Sequence, residues 1–257
     1  MSTAITIEPP SERPLLQARL AGLFYLTTMV AGIFALFVVG SRLVVPGDAA
    51  ATASNVLANE SLFRLGFAAE LISIAAYVAV VSVLYGLLRP VSRGLSFMAA
   101  LFGLMGNAVL AVNSLNLIVP MFLLRRPESL SGFSAEQVQS LALTLIRVHD
   151  SLGFNISIVF FGFYCVLIGS LIFRSTFLPR VIGLLMLLGG LGWLIHSFTG
   201  FLSPARSSEL YPYSLIPGTV GEAALTLWLI VFGVNVHRWR EQSGVVNDAP
   251  NRKAENA

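Results

Sequence analysis

The sequence predicts an all-α integral membrane protein, a bundle of six transmembrane helices plus two short extracytoplasmic helices. Three observations carry that prediction. Of 257 residues, 56% are hydrophobic and only 11% are charged, whereas a soluble domain needs about a quarter charged residues to cover its wet surface. The mean hydropathy is +0.80, gathered into runs of the roughly 20 residues that a helix needs to cross a bilayer. Those runs are apolar on nearly all faces, unlike an amphipathic soluble helix, and lack the ten-residue alternating segments of a membrane barrel.

The spans fall near Leu20–Val39, Leu65–Leu88, Leu95–Val119, Leu152–Phe173, Val181–Leu202 and Leu215–Val236. The first follows Arg13 and Arg19, yet its apolar run exceeds a signal-peptide core and no small-residue cleavage site ends it, so it reads as an uncleaved span. Residues 1–18 and 238–257 are polar and read as disordered cytoplasmic tails flanking a membrane domain over 19–237.

Between spans one and two, "PGDAAATASNVLANE" offers Asp48 as an N-cap for an alanine-rich helix. Between spans three and four, Ser134 and Gln137 stand at capping-box spacing. Val138, Leu141, Leu145 and Val148 then form one helical stripe suited to lying on the membrane or folding over the bundle. The glycines at 183, 189, 190 and 192 in span five predict close helix packing. A short echo, "LGF" at 65–67 and 152–154, is compatible with a parallel repeat of two hairpins.

Orientation follows from the arginines and lysine. The side holding both tails and the tight turns "RPVSRG" and "RSTFLPR" carries ten of the 16 Lys and Arg residues. Acidic residues mix into the loops of the other side, so both termini are expected in the cytoplasm. The pI is near 9.4, but the basic residues form no stripe, which excludes nucleic acid as a partner. The lipid bilayer is the expected partner. The single cysteine, Cys165, excludes an internal disulfide and any CxxC metal pair.

Ionisable and amide groups inside spans are costly and mark sites or paired structural contacts. Glu70 lies about 8 Å, His196 about 9 Å and Glu222 about 10 Å inside the outer boundary, at 1.5 Å per residue. Asn113 and Asn116 share one face of span three in the same layer. Asn155 enters span four, with His149 and Asp150 just above it in "IRVHDSLGFN". Eight residues from five spans thus occupy one outer slab. Their plainest role is interhelical bonding, such as His196 with Glu222, with Asp150 complementing the dipole at the start of span four. Pro217, Gly218 and Gly221 ahead of Glu222 fit either a closely packed helix start or an unwound segment.

The preferred functional reading is non-enzymatic: an outward-facing polar layer that binds or transports a small or lipid-like ligand, with no cofactor. The first alternative is an intramembrane metal-dependent hydrolase, with His149, His196 and Asp150 as weak metal candidates because zinc takes such ligands. Neither HExxH spacing nor a GxSxG elbow supports it. The second is a structural or assembly protein without a ligand.

Several stretches carry a resemblance. "ARLAGLFYLTTMVAGIFA", "PGDAAATASNVLANESLFRLGF", "LYGLLRPVSRGLS" and "VHDSLGFNISIVFFGFYCVLIGSLIFRSTFLPRVIGLLMLLGGLGWLI" resemble the bacterial membrane proteins grouped as the domain-of-unknown-function 4386 family. The resemblance runs from about Arg19 to Val236. It implies a six-span protein of the bacterial inner membrane, with His149, Asp150, Gly153, Leu178 and Pro179 at recurring positions, and it implies no activity.

Overall fold

The computed structural model describes residues 13–125, 132–210 and 213–244. Among them every regular element is helical. Six helices are long and apolar enough to cross a membrane, so the chain is a multi-pass membrane protein.

Helix α1 (Pro14–Ala35) opens with proline in its first turn and runs through a π-helical turn, Leu36–Ser41. The short helix α2 (Ala49–Ala58) is capped as its sequence requires, Asp48 Oδ1 accepting from the Ala51 N–H at 2.8 Å. Span two is α3 (Glu60–Leu88). Span three is α4 (Arg93–Asn113) followed, after a break at Ser114, by α5 (Leu115–Arg125).

Helix α6 (Ala135–Arg147) begins with the expected capping box: the Ser134 hydroxyl accepts from the Gln137 N–H, and the Gln137 side chain accepts from the Ser134 N–H at 2.8 Å. It does not end before span four. A π-helical stretch, Val148–Gly153, joins it without interruption to α7 (Phe154–Arg174). The expected helix N-terminus at Asp150 therefore does not exist, and no terminal dipole acts on that carboxylate.

The remaining spans are α8 (Arg180–Leu202) and α10 (Ile216–Val231), connected by α9 (Pro204–Leu210) and a 3-10 turn, Tyr213–Leu215. Helix α11 (Val236–Ser243) follows. It corrects the expectation of disorder from residue 238, because Trp239 is buried and its indole N–H donates to the Leu87 carbonyl at 2.9 Å. At the other end, residues 14–18 of the expected disordered tail are already helical as the start of α1; residues 1–12 and 245–257 lie outside the described residues.

The six spans form a closed ring in chain order. Helix α1 packs on α3, α3 on α4, α4 on α7, α7 on α8, α8 on α10, and α10 back on α1. The α7–α8 pair is the tightest, and glycine makes it so. A Cβ on Gly169 would lie 2.6 Å from the Leu187 nitrogen, and one on Gly190 2.7 Å from the Gly162 carbonyl oxygen. Elsewhere Leu, Ile, Val and Phe side chains point outward in numbers that only lipid can accept.

Two faces result. One holds the start of α1, both tight turns and α11, where the Asn235 N–H donates to the Phe177 carbonyl and Arg238 reaches the Thr176 carbonyl. The other holds α2, α6 and the end of α5, built on a separate core of Val39, Leu43, Val56, Phe63, Leu117 and Met121. On this loop-rich face Glu60 pairs with both Arg64, at 2.7 Å, and Arg125, at 3.2 Å.

Candidate functional site

Five of the eight polar residues read from the sequence gather on the loop-rich side, where α3 meets the α4–α5 break and the π turn. His149 is the centre. Its Nδ1 lies 2.8 Å from Asp150 Oδ1 and its Nε2 lies 3.0 Å from Glu70 Oε1. The Ser114 hydroxyl donates to the same Glu70 oxygen at 2.6 Å. Asn113 donates its amide N–H to the His149 carbonyl at 3.0 Å and accepts from Asn116 at 3.2 Å.

Local structure explains why these groups meet. Ser114 keeps the helical bond of its N–H to the Leu110 carbonyl, which sets its hydroxyl on the face of span three that meets Glu70 of α3. Opposite it, the π turn offers Gly153, and a Cβ there would coincide with the Asn113 amide. Helix α4 can therefore close on the turn until Asn113 reaches the backbone of His149. A π turn inserts one residue into a helix and rotates the side chains beyond it to a new azimuth.

The cluster has a gradient of exposure. The side chains of Glu70 and His149 are 10% and 12% exposed, against 41% for Asp150. The imidazole thus joins a buried carboxyl to one open to the loop-rich side. With both carboxylates ionised, both ring nitrogens donate, and the trio carries one net negative charge. With one carboxyl protonated, a neutral ring suffices. Moving one proton along the trio breaks no backbone contact.

The other candidates lie elsewhere. Glu222 accepts from the Trp193 indole N–H at 2.8 Å, and His196 Nδ1 lies 3.1 Å from the Ser214 hydroxyl. The expected His196–Glu222 pair is not formed. Asn155 does not join the trio, and its buried Oδ1 has no partner. The start of α10 is closely packed rather than unwound: a Cβ on Gly218 would strike the Trp193 ring, and one on Gly221 would lie 2.7 Å from the Leu185 carbonyl oxygen.

Glu222 borders a second polar group that the sequence did not reveal. Tyr25, Tyr77 and Tyr164 meet inside the ring, with centroids 6.1 Å apart for Tyr25–Tyr77 and 5.8 Å for Tyr77–Tyr164. Phe161 links Tyr77 and Tyr164 to Trp193. All three tyrosines are buried. Buried Cys165 sits beside Tyr164 in the same core. Each tyrosine alone looks like core packing, so only the closure of the ring brings them together.

A family model described as a domain of unknown function, DUF4386, matches residues 20–233. The chain belongs to the DUF4386 family. A similar protein from Archaeoglobus fulgidus, described as an uncharacterized protein, is 24% identical over 160 residues, covering 61% of this chain and 76% of its own length. No solved structure matches the chain significantly.

Within this DUF4386 chain the metal candidates separate. His196 is on the far helices, and both nitrogens of His149 face carboxylates on opposite sides of the ring, so Glu70 and Asp150 cannot converge on one ion beside it. Among the described residues no group of three His, Cys, Asp or Glu has metal-holding geometry. What the arrangement can do is accept donors: a half-exposed carboxylate over a buried one, with amides alongside.

Proposed function

We propose that the protein sits in the bacterial inner membrane with both termini in the cytoplasm and binds a small or lipid-like ligand at its outer polar layer. The ligand class rests on the chemistry of the trio. A cluster whose open end is the Asp150 carboxylate favours a cationic or hydrogen-bond-donating group, such as a primary amine or an ethanolamine headgroup. The single observation that carries this reading is His149 bonded at once to the open Asp150 and the buried Glu70. A charge arriving at Asp150 is felt at Glu70 through one ring.

The same bonds hold α3 against the α6–α7 rod, and binding must be separated from that clamping role. Asp150→Asn does so, because it leaves the His149–Glu70 bond in place. Thermal unfolding of the purified protein is measured with ethanolamine and with short-chain phosphatidylethanolamine. The expected result is saturable stabilisation of the wild type by at least one of them and none of Asp150→Asn. Equal melting curves with and without both probes would overturn the binding reading. Orientation is tested by a membrane-impermeant maleimide on intact cells carrying Gly132→Cys, since Cys165 is buried and unreactive. Labelling only after lysis would reverse the topology.

A further inference from the structure

The face that carries the tight turns holds an open groove of about 820 Å³, bounded by the α7–α8 turn and α11. Arg180, at the start of α8, and Arg238, on α11, both line it, together with Thr176 and Gln242. A second recess of about 360 Å³ shares Thr176, Leu178, Pro179 and Arg238 with it and is walled by Trp228 and Phe232. Together they form one amphipathic trough, basic at one end and aromatic at the other.

The electrostatics of the basic end are incomplete. Neither Arg180 nor Arg238 has a carboxylate within ion-pair distance among the described residues. Glu241, the acid on the groove wall, is turned to His237 at 3.3 Å. Arg238 uses one donor on the Thr176 carbonyl at a long 3.3 Å, and Arg180 lies over the Phe173 ring at 6.0 Å. A guanidinium has five donors in a planar fork suited to phosphate oxygens, so most of that capacity is left without a protein partner among the described residues. The aromatic end opens toward lipid: Trp228 and Phe232 stack at 4.5 Å, and Phe232 and Val231 are exposed. Tryptophan and arginine are the side chains that suit a headgroup boundary.

We infer that this trough is a binding site for an anionic phospholipid, its phosphate held between Arg180 and Arg238 and its glycerol and first acyl carbons against Trp228 and Phe232. Charge and shape agree on that occupant. A soluble anion would leave the aromatic wall unused, and a zwitterionic lipid would bring its own ammonium toward two unneutralised guanidiniums. The site is separate from the Glu70–His149–Asp150 cluster, which lies on the opposite face, and does not depend on any ligand there.

Native mass spectrometry of the purified full chain tests it with phosphatidylglycerol, phosphatidylcholine of the same acyl chains, and inorganic phosphate. Phosphatidylglycerol adducts on the wild type are expected to persist at collision energies that strip phosphatidylcholine. In Arg180→Gln/Arg238→Gln their apparent affinity should fall at least fivefold. The charge-matched control Arg42→Gln/Arg147→Gln, on the other face, should keep wild-type binding. Should the first double variant fail to fold, Arg180→Gln alone, which breaks no hydrogen bond, should still lose at least twofold. Equal retention of the two lipids, equal loss in the control, or phosphate displacing phosphatidylglycerol at equal concentration would each overturn the assignment.

Discussion

The Asn113 amide occupies the space that a side chain on Gly153 would fill. This is why α4 reaches the π turn closely enough for Asn113 to bond the His149 carbonyl. Gly153→Ala is therefore expected to push Asn113 out and destabilise the protein by about 1–3 kcal/mol, the range for overpacking. Asn113→Ala removes the obstruction, so the double variant should be less damaged than the two single changes summed. Thermal unfolding of the four proteins as a double-mutant cycle measures that coupling; strict additivity would show that the two side-chain positions do not compete.

Glu70 and His149 should respond unequally to substitution. His149→Ala leaves the Glu70 carboxyl buried without its ring partner, a loss of about 3 kcal/mol or more for a broken buried pair. Glu70→Gln still accepts from Ser114 and from a protonated Nε2, so its loss should be about 1 kcal/mol, the difference between charged and neutral bonds. Chemical or thermal denaturation in detergent ranks them, and an equal loss would mean that the pair contributes only packing.

Glycine substitutions divide by what they meet. Gly169→Ala drives a methyl into the backbone of α8, which cannot give way as a side chain can, and should cost about 2 kcal/mol. Gly86→Ala meets nothing within 4 Å and should be neutral, or stabilising by up to about 1 kcal/mol through helix propensity. Melting temperatures of the two variants provide the comparison.

The buried anchor of helix α11 is one indole, beside its exposed bonds to the α7–α8 turn. Trp239→Phe keeps most of the apolar contact but strands the Leu87 carbonyl, which sits at a helix end where intrahelical donors run out. The expected loss is about 1–3 kcal/mol, felt locally. Limited trypsin digestion should cut at Arg238 and Arg240 several times faster in the variant, and an unchanged rate would show that α11 is held by other contacts.

Much of this architecture was legible because it depends on short-range properties. Hydropathy located the six spans, Asp48 and Ser134 announced their helix starts, and the glycines of span five announced close packing. Gly183 and Gly190 make it with α7, Gly189 and Gly192 with the start of α10 and the turn before it. The polar layer was legible only as a depth. Depth along a helix comes from counting residues, but azimuth depends on which helices become neighbours. Glu70, Asn113, Asn116, His149 and Asp150 share both, whereas His196 and Glu222 share depth and diverge in azimuth. Ser114 escaped notice because a lone serine in an apolar run carries no sign of the carboxylate it meets on another helix. Trp239 escaped because a polar-looking segment hid one buried ring. The π turn leaves no compositional mark, so the join of α6 to α7 could not be read.

That join has a mechanical side. The helical run from Ala135 to Arg174 is 40 residues, about 60 Å at 1.5 Å per residue, or twice the hydrocarbon thickness of a bilayer. Its first third is an amphipathic helix resting on α2 and α5, and His149 lies where that helix passes into the span. Because the run is continuous there, His149 is fixed by the same rod on both sides, and its bond to Glu70 fastens that rod to α3 at one point along its length.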